Sequence, residues 1–242
     1  QQSNGNRELD SEEGKTFTLG VVLTSPFETA ALANASIALD WYRVKITDAI
    51  ATVTAQSTYD LCFNRDGTSN PNYSIDDPNG LCRNITRDEL TGAALQVVSQ
   101  YENLGVLQTS GLDMNVNWGA ALADIGMQSL PGNLAVNLSV TKLFEYKAQE
   151  FQTAPALENK STLGTTVRGG LFDWRTVTTV RYAQPVWDVS LNWQHLPSIR
   201  HPNFVTDPLT TTQGAHSYDL FALSANWNVT GNFAVSGGID NL

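Results

Sequence analysis

Few residues in this chain have chemistry to offer. Cys62 and Cys82 are the only cysteines among 242 residues. In an oxidising compartment they would close a loop of about twenty residues, worth roughly 3 kcal/mol on the chain-entropy account; in a reducing one they would be two free thiols. Around them lie Asp66, Asp76 and Asp77 with Asn64, Asn70 and Asn79, oxygen donors of the kind calcium takes. Their spacing fits no EF-hand loop, so a solvated acidic loop is the simpler reading. His195, His201 and His216 border one later segment and would have to converge to hold a metal, which nothing in their spacing requires. No nucleophile elbow, zinc motif or phosphate loop occurs, so neither catalysis nor a cofactor is expected.

Composition narrows the classes further. The net charge of −10 and pI near 4.6 leave no basic stripe for a nucleic-acid partner. Hydrophobic residues make up 41% and mean hydropathy is −0.20. No apolar run approaches the ~18 residues of a membrane helix, which excludes a helical membrane protein. A membrane barrel remains open, because its alternating strands average to an unremarkable hydropathy. The opening residues QQSNGNRELDSEEGK show no basic segment followed by an apolar one, so no signal peptide is expected there. With a strand pattern running to Leu242, the chain reads as an internal part of a longer protein.

Loop chemistry must be positioned by strands, because period-two alternation runs through most of the chain. Residues 216–242 show it most clearly. Phe221, Leu223, Ala225, Trp227 and Val229 alternate with Ser224, Asn226 and Asn228. After Thr230-Gly231-Asn232, Phe233, Val235 and Ile239 stand against Ser236, Gly238 and Asp240. Two such runs across a short glycine-containing turn predict a hairpin. Residues 14–24 with 35–47, 106–121 with 133–146, and 171–182 with 186–194 repeat the pattern, giving eight strands in four hairpins. The second face is small and polar throughout, as a wet interior requires. The predicted class is all-β: an antiparallel transmembrane β-barrel of which about eight meandering strands are present. A secreted soluble β-sandwich, apolar face inward, has the same alternation and is the alternative.

Connections alternate in length. Those at 25–34, 121–132, 183–185 and 230–232 are short, and those at 48–103, 147–168 and 198–215 are long. Membrane barrels place short turns on the periplasmic side and long loops outside. The excursion 48–103 is too long for a passive connection; it reads as irregular, with short helices expected at 51–59 and, from the capping-box pattern Thr86-Arg87-Asp88-Glu89, at 86–90. All six tryptophans take the apolar parity. Trp118, Trp187 and Trp227, with Phe233, lie beside short turns, and Trp41, Trp174 and Trp193 lie toward the long loops, as two aromatic girdles would. Inward Asp173, Arg175, Arg181 and Asp188 are expected to pair across strands in the lumen. Outward Arg43 and Lys45 either meet lipopolysaccharide phosphates or snorkel to the interface.

Four motifs then follow in order: Gly5-Asn6-Arg7-Glu8-Leu9-Asp10-Ser11-Glu12, the run from Leu39 through Trp41 to Ile46-Thr47-Asp48-Ala49-Ile50, Ser110-Gly111-Leu112-Asp113, and Ile239-Asp240-Asn241-Leu242. Together they resemble the C-terminal part of the barrel of a TonB-dependent outer-membrane receptor. The resemblance implies a bacterial outer-membrane location and a barrel of about 22 strands with a plugged lumen. Residues 1–242 would supply roughly the fourteenth to twenty-first strands, without the last strand, the N-terminal plug or the segment that meets the energy-transducing TonB complex. It implies active uptake of a scarce solute, such as a ferric siderophore, a vitamin-like chelate or an oligosaccharide, and contact with membrane lipid and lipopolysaccharide. A passive porin would share the strand grammar without the plug. Loop 48–103 is then outside, where the Cys62–Cys82 bridge is the favoured state, and Tyr59, Phe63 and Tyr73 are its candidate ligand contacts.

Overall fold

The computed structural model describes residues 2–65, 67, 69–77, 80–103, 105–149, 156–163 and 171–242. In chain order the strands are β1 (Gln2–Asn4), β2 (Glu13–Thr24), β3 (Ser36–Thr47), β4 (Ile50–Thr52), β5 (Ile85–Arg87), β6 (Ala94–Asn103), β7 (Val106–Ala121), β8 (Asn133–Ala148), β9 (Leu157–Glu158), β10 (Trp174–Ala183), β11 (Trp187–Leu196), β12 (Tyr218–Thr230) and β13 (Phe233–Asp240). Helix α1 spans Ala55–Cys62 and α2 spans Asn203–Thr206. Eight strands form one antiparallel meander, β13-β12-β11-β10-β8-β7-β3-β2, with β9 beside β8. These are the eight strands and four hairpins that the alternation predicts.

The register explains why the alternation is so strict. One cross-strand row reads Leu23, Ile37, Val116, Leu138, Thr178, Trp193, Phe221. The adjacent row reads Thr24, Ser36, Asn117, Asn137, Thr179, Asn192, Ala222. A slip of one residue in any strand would exchange the two sets. The polar row is knitted by side chains: Asn137 Nδ2 donates to Asn117 Oδ1 at 2.6 Å and Asn192 Nδ2 to Thr179 Oγ1 at 2.9 Å. The apolar face, by contrast, is uncovered, with Leu19 66%, Trp227 55% and Ile239 59% exposed. A sandwich would bury that face beneath a second sheet. Here, among the described residues, the apolar side of the meander carries no such layer.

One irregularity interrupts the meander. Between Ser110 and Gly111 the β7–β8 register shifts, so that Gly111 faces Leu143 while Ser110 faces Glu145, and Phe144 is bulged out of the ladder. Beyond the bulge the parity of β8 reverses, so that Tyr146 takes the face that Leu143 takes before it, and both are buried. The even apolar parity expected to run through Phe144 therefore ends at Val140. Gly111 allows the close approach: a Cβ there would lie 2.5 Å from Tyr42 Oη and 2.6 Å from the Lys142 carbonyl oxygen.

The excursion 48–103 departs most from its sequence reading. It is folded rather than irregular, and it holds a hydrophobic cluster: Cys62, Cys82, Ile85 and Val97, with Ala55 and Tyr59 against them. A second sheet, β1-β6-β4 with β5 on β6, frames it. The expected helix at 51–59 lies instead at Ala55–Cys62. Thr54 caps it, its Oγ1 accepting from the Ser57 N–H at 3.1 Å, which satisfies an orphan first-turn donor. No helix forms at 86–90. Ile85–Arg87 is a strand, and Asp88 turns the chain instead, accepting hydrogen bonds from the Leu90 and Thr91 N–H groups and the Thr91 hydroxyl. The Thr91 hydroxyl, followed by that residue's backbone N–H, holds the Asp88 carboxyl below its usual pKa. An aspartate can cap a turn as readily as a helix, and the β-branched pair ahead of it favoured strand.

Two substitutions test these features. Gly111→Ala in the intact protein should cost about 1–3 kcal/mol, because a backbone carbonyl cannot swing aside, read as a lower urea midpoint for unfolding of the barrel. Asn70→Ala, which leaves several buried backbone groups unpaired (below), should cost about 1–3 kcal/mol locally. Hydrogen exchange would show lost protection across the excursion with β10–β12 unchanged.

Candidate functional site

The long connections at 48–103, 147–168 and 198–215 leave the meander at the same end, since each joins consecutive antiparallel strands there. The first is a small module set between β3 and β7. Its interior is pinned by the Cys62–Cys82 disulfide, which ties the last turn of α1 to a 3-10 turn at Leu81–Asn84. Beside the bridge sits Asn70, 1% exposed. Its Nδ2 donates to the carbonyls of Cys62 at 2.8 Å and Ser74 at 2.9 Å, and its Oδ1 accepts from the Ser74 N–H at 3.0 Å. Asp77 is also buried and accepts from the Cys82 N–H at 2.7 Å. Asp76 pairs with Arg83.

These partners correct the reading of the acidic cluster as a solvated loop. Asn70 and Asp77 are structural groups that hold the turn, and Asp76 is taken by a guanidinium. Asp66 and Asn79 lie outside the described residues. Among the described residues no group of three or more His, Cys, Asp or Glu is placed to hold a metal. Of the histidines, His195 pairs with Asp219 through Nδ1 at 2.8 Å, while His201 Nδ1 accepts from the Asn203 N–H.

On the module surface, Tyr59 and Phe63 stack one helical turn apart, with ring centroids 6.1 Å apart and planes at 10°. The guanidinium of Arg87 lies 5.2 Å from the centre of the Phe63 ring, within cation–π range. Tyr59 backs onto the disulfide cluster, while Phe63 is 49% exposed. The result is a ring on a rigid base with a positive charge beside it, which suits a planar, anionic or aromatic group. Tyr73 is exposed and, among the described residues, makes no ring contact with the pair. Arg87 was hidden in the sequence because Thr86 to Glu89 reads as a helix start. The available signal was the short strand-like run Ile85-Thr86-Arg87 ahead of a turn.

The other long connections are linked to each other. Thr162 bridges both Leu171 and Arg200, and Ile199 bridges Ala215; Ile199 is 3% exposed. Arg200 stacks on Phe204 at 4.5 Å. Much of 147–168 lies outside the described residues.

Down the meander, the aromatic residues fall at the two ends of the apolar face. Toward the long connections, Trp41 meets Phe17 edge-on at 5.7 Å, Trp174 stacks on His195 at 4.8 Å, and Trp193 lies parallel to Phe221 at 6.3 Å. Toward the short turns, the Trp118 indole N–H donates to the Ala31 carbonyl, Trp187 meets Tyr182 edge-on, Trp227 stands opposite Trp187, and Phe233 follows the last turn. The polar face pairs Arg181 with Asp188 at 2.9 Å, and Asn226 also donates to that carboxylate. Asp173 departs from expectation: it lies just ahead of β10 and pairs with Lys142, on the apolar parity, at 3.0 Å. Arg175 stands opposite Thr141 on β8.

Comparison with known proteins accords with this architecture. No curated protein matches the chain. Among solved structures it is similar to a mutant ferric enterobactin receptor, PfeA, from Pseudomonas aeruginosa in complex with enterobactin, with 12% identity and a TM-score of 0.58 over 99% of this chain and 27% of that one. It is also similar to the siderophore receptor PirA from Acinetobacter baumannii, with 14% identity and a TM-score of 0.54 over 99% and 29%. At such identities the likeness is one of fold. The chain spans about a quarter of the length of these receptors. The family model described as TonB dependent receptor-like, beta-barrel, matches residues 1–242. An open antiparallel meander with a polar lumen face, an uncovered apolar face and its elaborated loops at one end is thus a part of such a barrel, and the chain belongs to the TonB-dependent receptor family.

Proposed function

We propose that this chain is the ligand-capturing flank of an outer-membrane receptor that takes up a scarce chelate of the ferric-siderophore class. The observation that carries the reading is the disulfide-pinned module at the long-loop end, which presents Phe63 between Tyr59 and Arg87 on a rigid base. A pore that passed abundant solutes would gain little from such a surface. A receptor for a dilute ligand gains affinity from contacts that are ordered before binding, and the planar aromatic rings and negative charge of an anionic chelate match a ring flanked by a guanidinium. The siderophore receptors of similar fold support the same class of solute. Energy for release into the lumen and across it would come through the TonB complex, acting on a plug enclosed by the complete barrel.

The membrane assignment rests on the uncovered apolar face. The strands that carry it are long enough to cross: β7 and β8 have 16 residues each, about 50 Å along the strand, more than a ~25 Å band needs at the usual tilt. Trp41, Trp174 and Trp193 would form the outer girdle, and Trp118, Trp187 and Trp227 with Phe233 the periplasmic one. Lipid would then cover the surface that water meets in the isolated chain.

The test is ligand binding by the intact protein. Purified receptor titrated with a panel of ferric catecholate, hydroxamate and carboxylate siderophores should bind at least one tightly. Phe63→Ala with Arg87→Ala should weaken it at least tenfold, about 1.4 kcal/mol, with the barrel still folded. Binding unchanged in that variant would remove the module from the site, and no siderophore binding at all would remove the substrate class.

A further inference from the structure

Two of the motifs that carry the family resemblance take no part in the charged ring, and the structure brings them together. Gly5 to Glu12 forms the approach to β2, and Ile46 to Ile50 leads out of β3 into β4; both meet Asn103, the last residue of β6. Asn103 Nδ2 donates to the carbonyls of Asp10 and Asp48, each at 2.9 Å, and its Oδ1 accepts from the Asp10 N–H at 2.8 Å. Glu12 Oε1 accepts from the Ile50 N–H at 2.8 Å. Between the two motifs' contacts, Asp48 takes a left-handed backbone conformation, φ 53°, which turns the chain out of the β3 ladder.

The grip continues up the module. Asn6 Nδ2 donates to the Tyr101 carbonyl at 3.0 Å while its Oδ1 accepts from the Glu8 N–H at 2.9 Å, and Gln2, Ser3 and Asn4 pair in parallel with Val98, Ser99 and Gln100. Residues 2–12 therefore run beside β6 in the same direction, from next to Val97 of the disulfide cluster down to the sheet, where one run enters β2 and the other β7. Without this strap the module would hang from two covalent crossings, out of β3 and into β7, on adjacent strands about 5 Å apart. Two close attachments make a hinge, and a third run of chain fastened at several heights removes that freedom. Among the described residues, none of Asn6, Glu12 and Asn103 bonds to Tyr59, Phe63 or Arg87, so any effect they have on the ring pair passes through the placement of the module.

We propose that residues 2–12 brace the capture module, and that Asn6, Glu12 and Asn103 are positioning residues that fix the inclination of Phe63 and Arg87 relative to the barrel. The inference rests on the ligand-capture reading above and adds to it residues that act without touching the ligand. A module free to pivot holds its ring in the binding pose for only part of the time, and the apparent affinity falls by that fraction.

The experiment uses the intact receptor in bilayers, spin-labelled at Leu90, 96% exposed on the module, and at Leu223 on β12. Double electron–electron resonance reads the distance distribution between the labels, and titration with the ferric catecholate, hydroxamate and carboxylate panel reads affinity. N103D keeps an acceptor but cannot make the two donated bonds; it should broaden the distribution and weaken siderophore binding about tenfold, and E12A should act in the same direction. E12Q still accepts from the Ile50 N–H and should match the parent protein in both readings. Hydrogen exchange across α1 and β5 should be unchanged in all three. Unchanged distances in N103D, broadened distances with unchanged affinity, or an E12Q that behaves like E12A would each overturn the brace. Lost protection in α1 or β5 would overturn it too, by assigning Asn103 to the module's own folding. A receptor that binds no siderophore of the panel would instead overturn the capture reading, with the distances still deciding whether the strap holds the module.

Discussion

Backbone hydrogen bonding in an apolar medium is the constraint on which the rest of this structure depends. In hydrocarbon an unpaired N–H or C=O costs several kcal/mol, so a strand can cross only if both neighbours satisfy it. The meander meets that demand through continuous antiparallel ladders from β13 to β2. Once the ladders are fixed, side chains have two directions left. Lipid accepts Leu, Val and Trp on one, and the watery lumen accepts Asn, Ser and Thr on the other. The contrast between adjacent rows, one containing Ile37, Val116 and Leu138 and the next Ser36, Asn117 and Asn137, is the direct consequence. So are β2 and β13, each paired on one side among the described residues, which in a complete barrel would meet further strands.

A sheet with solvent of one kind or another on both faces has no interior, so packing is found elsewhere. The excursion 48–103 builds one from few parts: a disulfide, Ile85, Val97, the flank of Tyr59 and the buried polar hub of Asn70. It is too small to rely on apolar area alone, and the covalent bridge with buried hydrogen bonds compensates. The base of the module is tied to the meander through Asn103. Its Nδ2 donates to the carbonyls of Asp10 and Asp48, and its Oδ1 accepts from the Asp10 N–H. Phe63 and Arg87 are thus carried on a module that is hydrogen-bonded to the end of the meander.

What could be read from the sequence follows the same division. The meander was legible because lipid and water impose period two on long runs of residues, so that each strand repeats its evidence several times. The bulge at Ser110/Gly111 was not legible: Leu143, Phe144 and Tyr146 place apolar residues on both parities, and alternation cannot show where a ladder skips a residue. The excursion was read as irregular because its core is only a few residues set among Asn, Asp, Ser and Pro. Buried polar groups such as Asn70, Thr58 and Asp77 look, in sequence, like solvated ones. Thr86 to Glu89 carried a capping-box pattern while the chain in fact turns at Asp88, which concealed Arg87 and with it half of the charged aromatic surface. The Cys62–Cys82 bridge was legible because two lone cysteines in an outward loop have few alternatives.

The central claim is that the two faces of this sheet see different solvents, lipid on one and water on the other. Nitroxide labels placed singly along β11 and β12 of the intact protein in bilayers, at Leu191, Asn192, Leu223 and Ser224, measure this directly through collision rates with oxygen and with a water-soluble nickel chelate. The account predicts high oxygen and low nickel accessibility at Leu191 and Leu223, with the reverse at Asn192 and Ser224. Low accessibility to both reagents at Leu191 and Leu223 would mean a face packed against protein, and would contradict it.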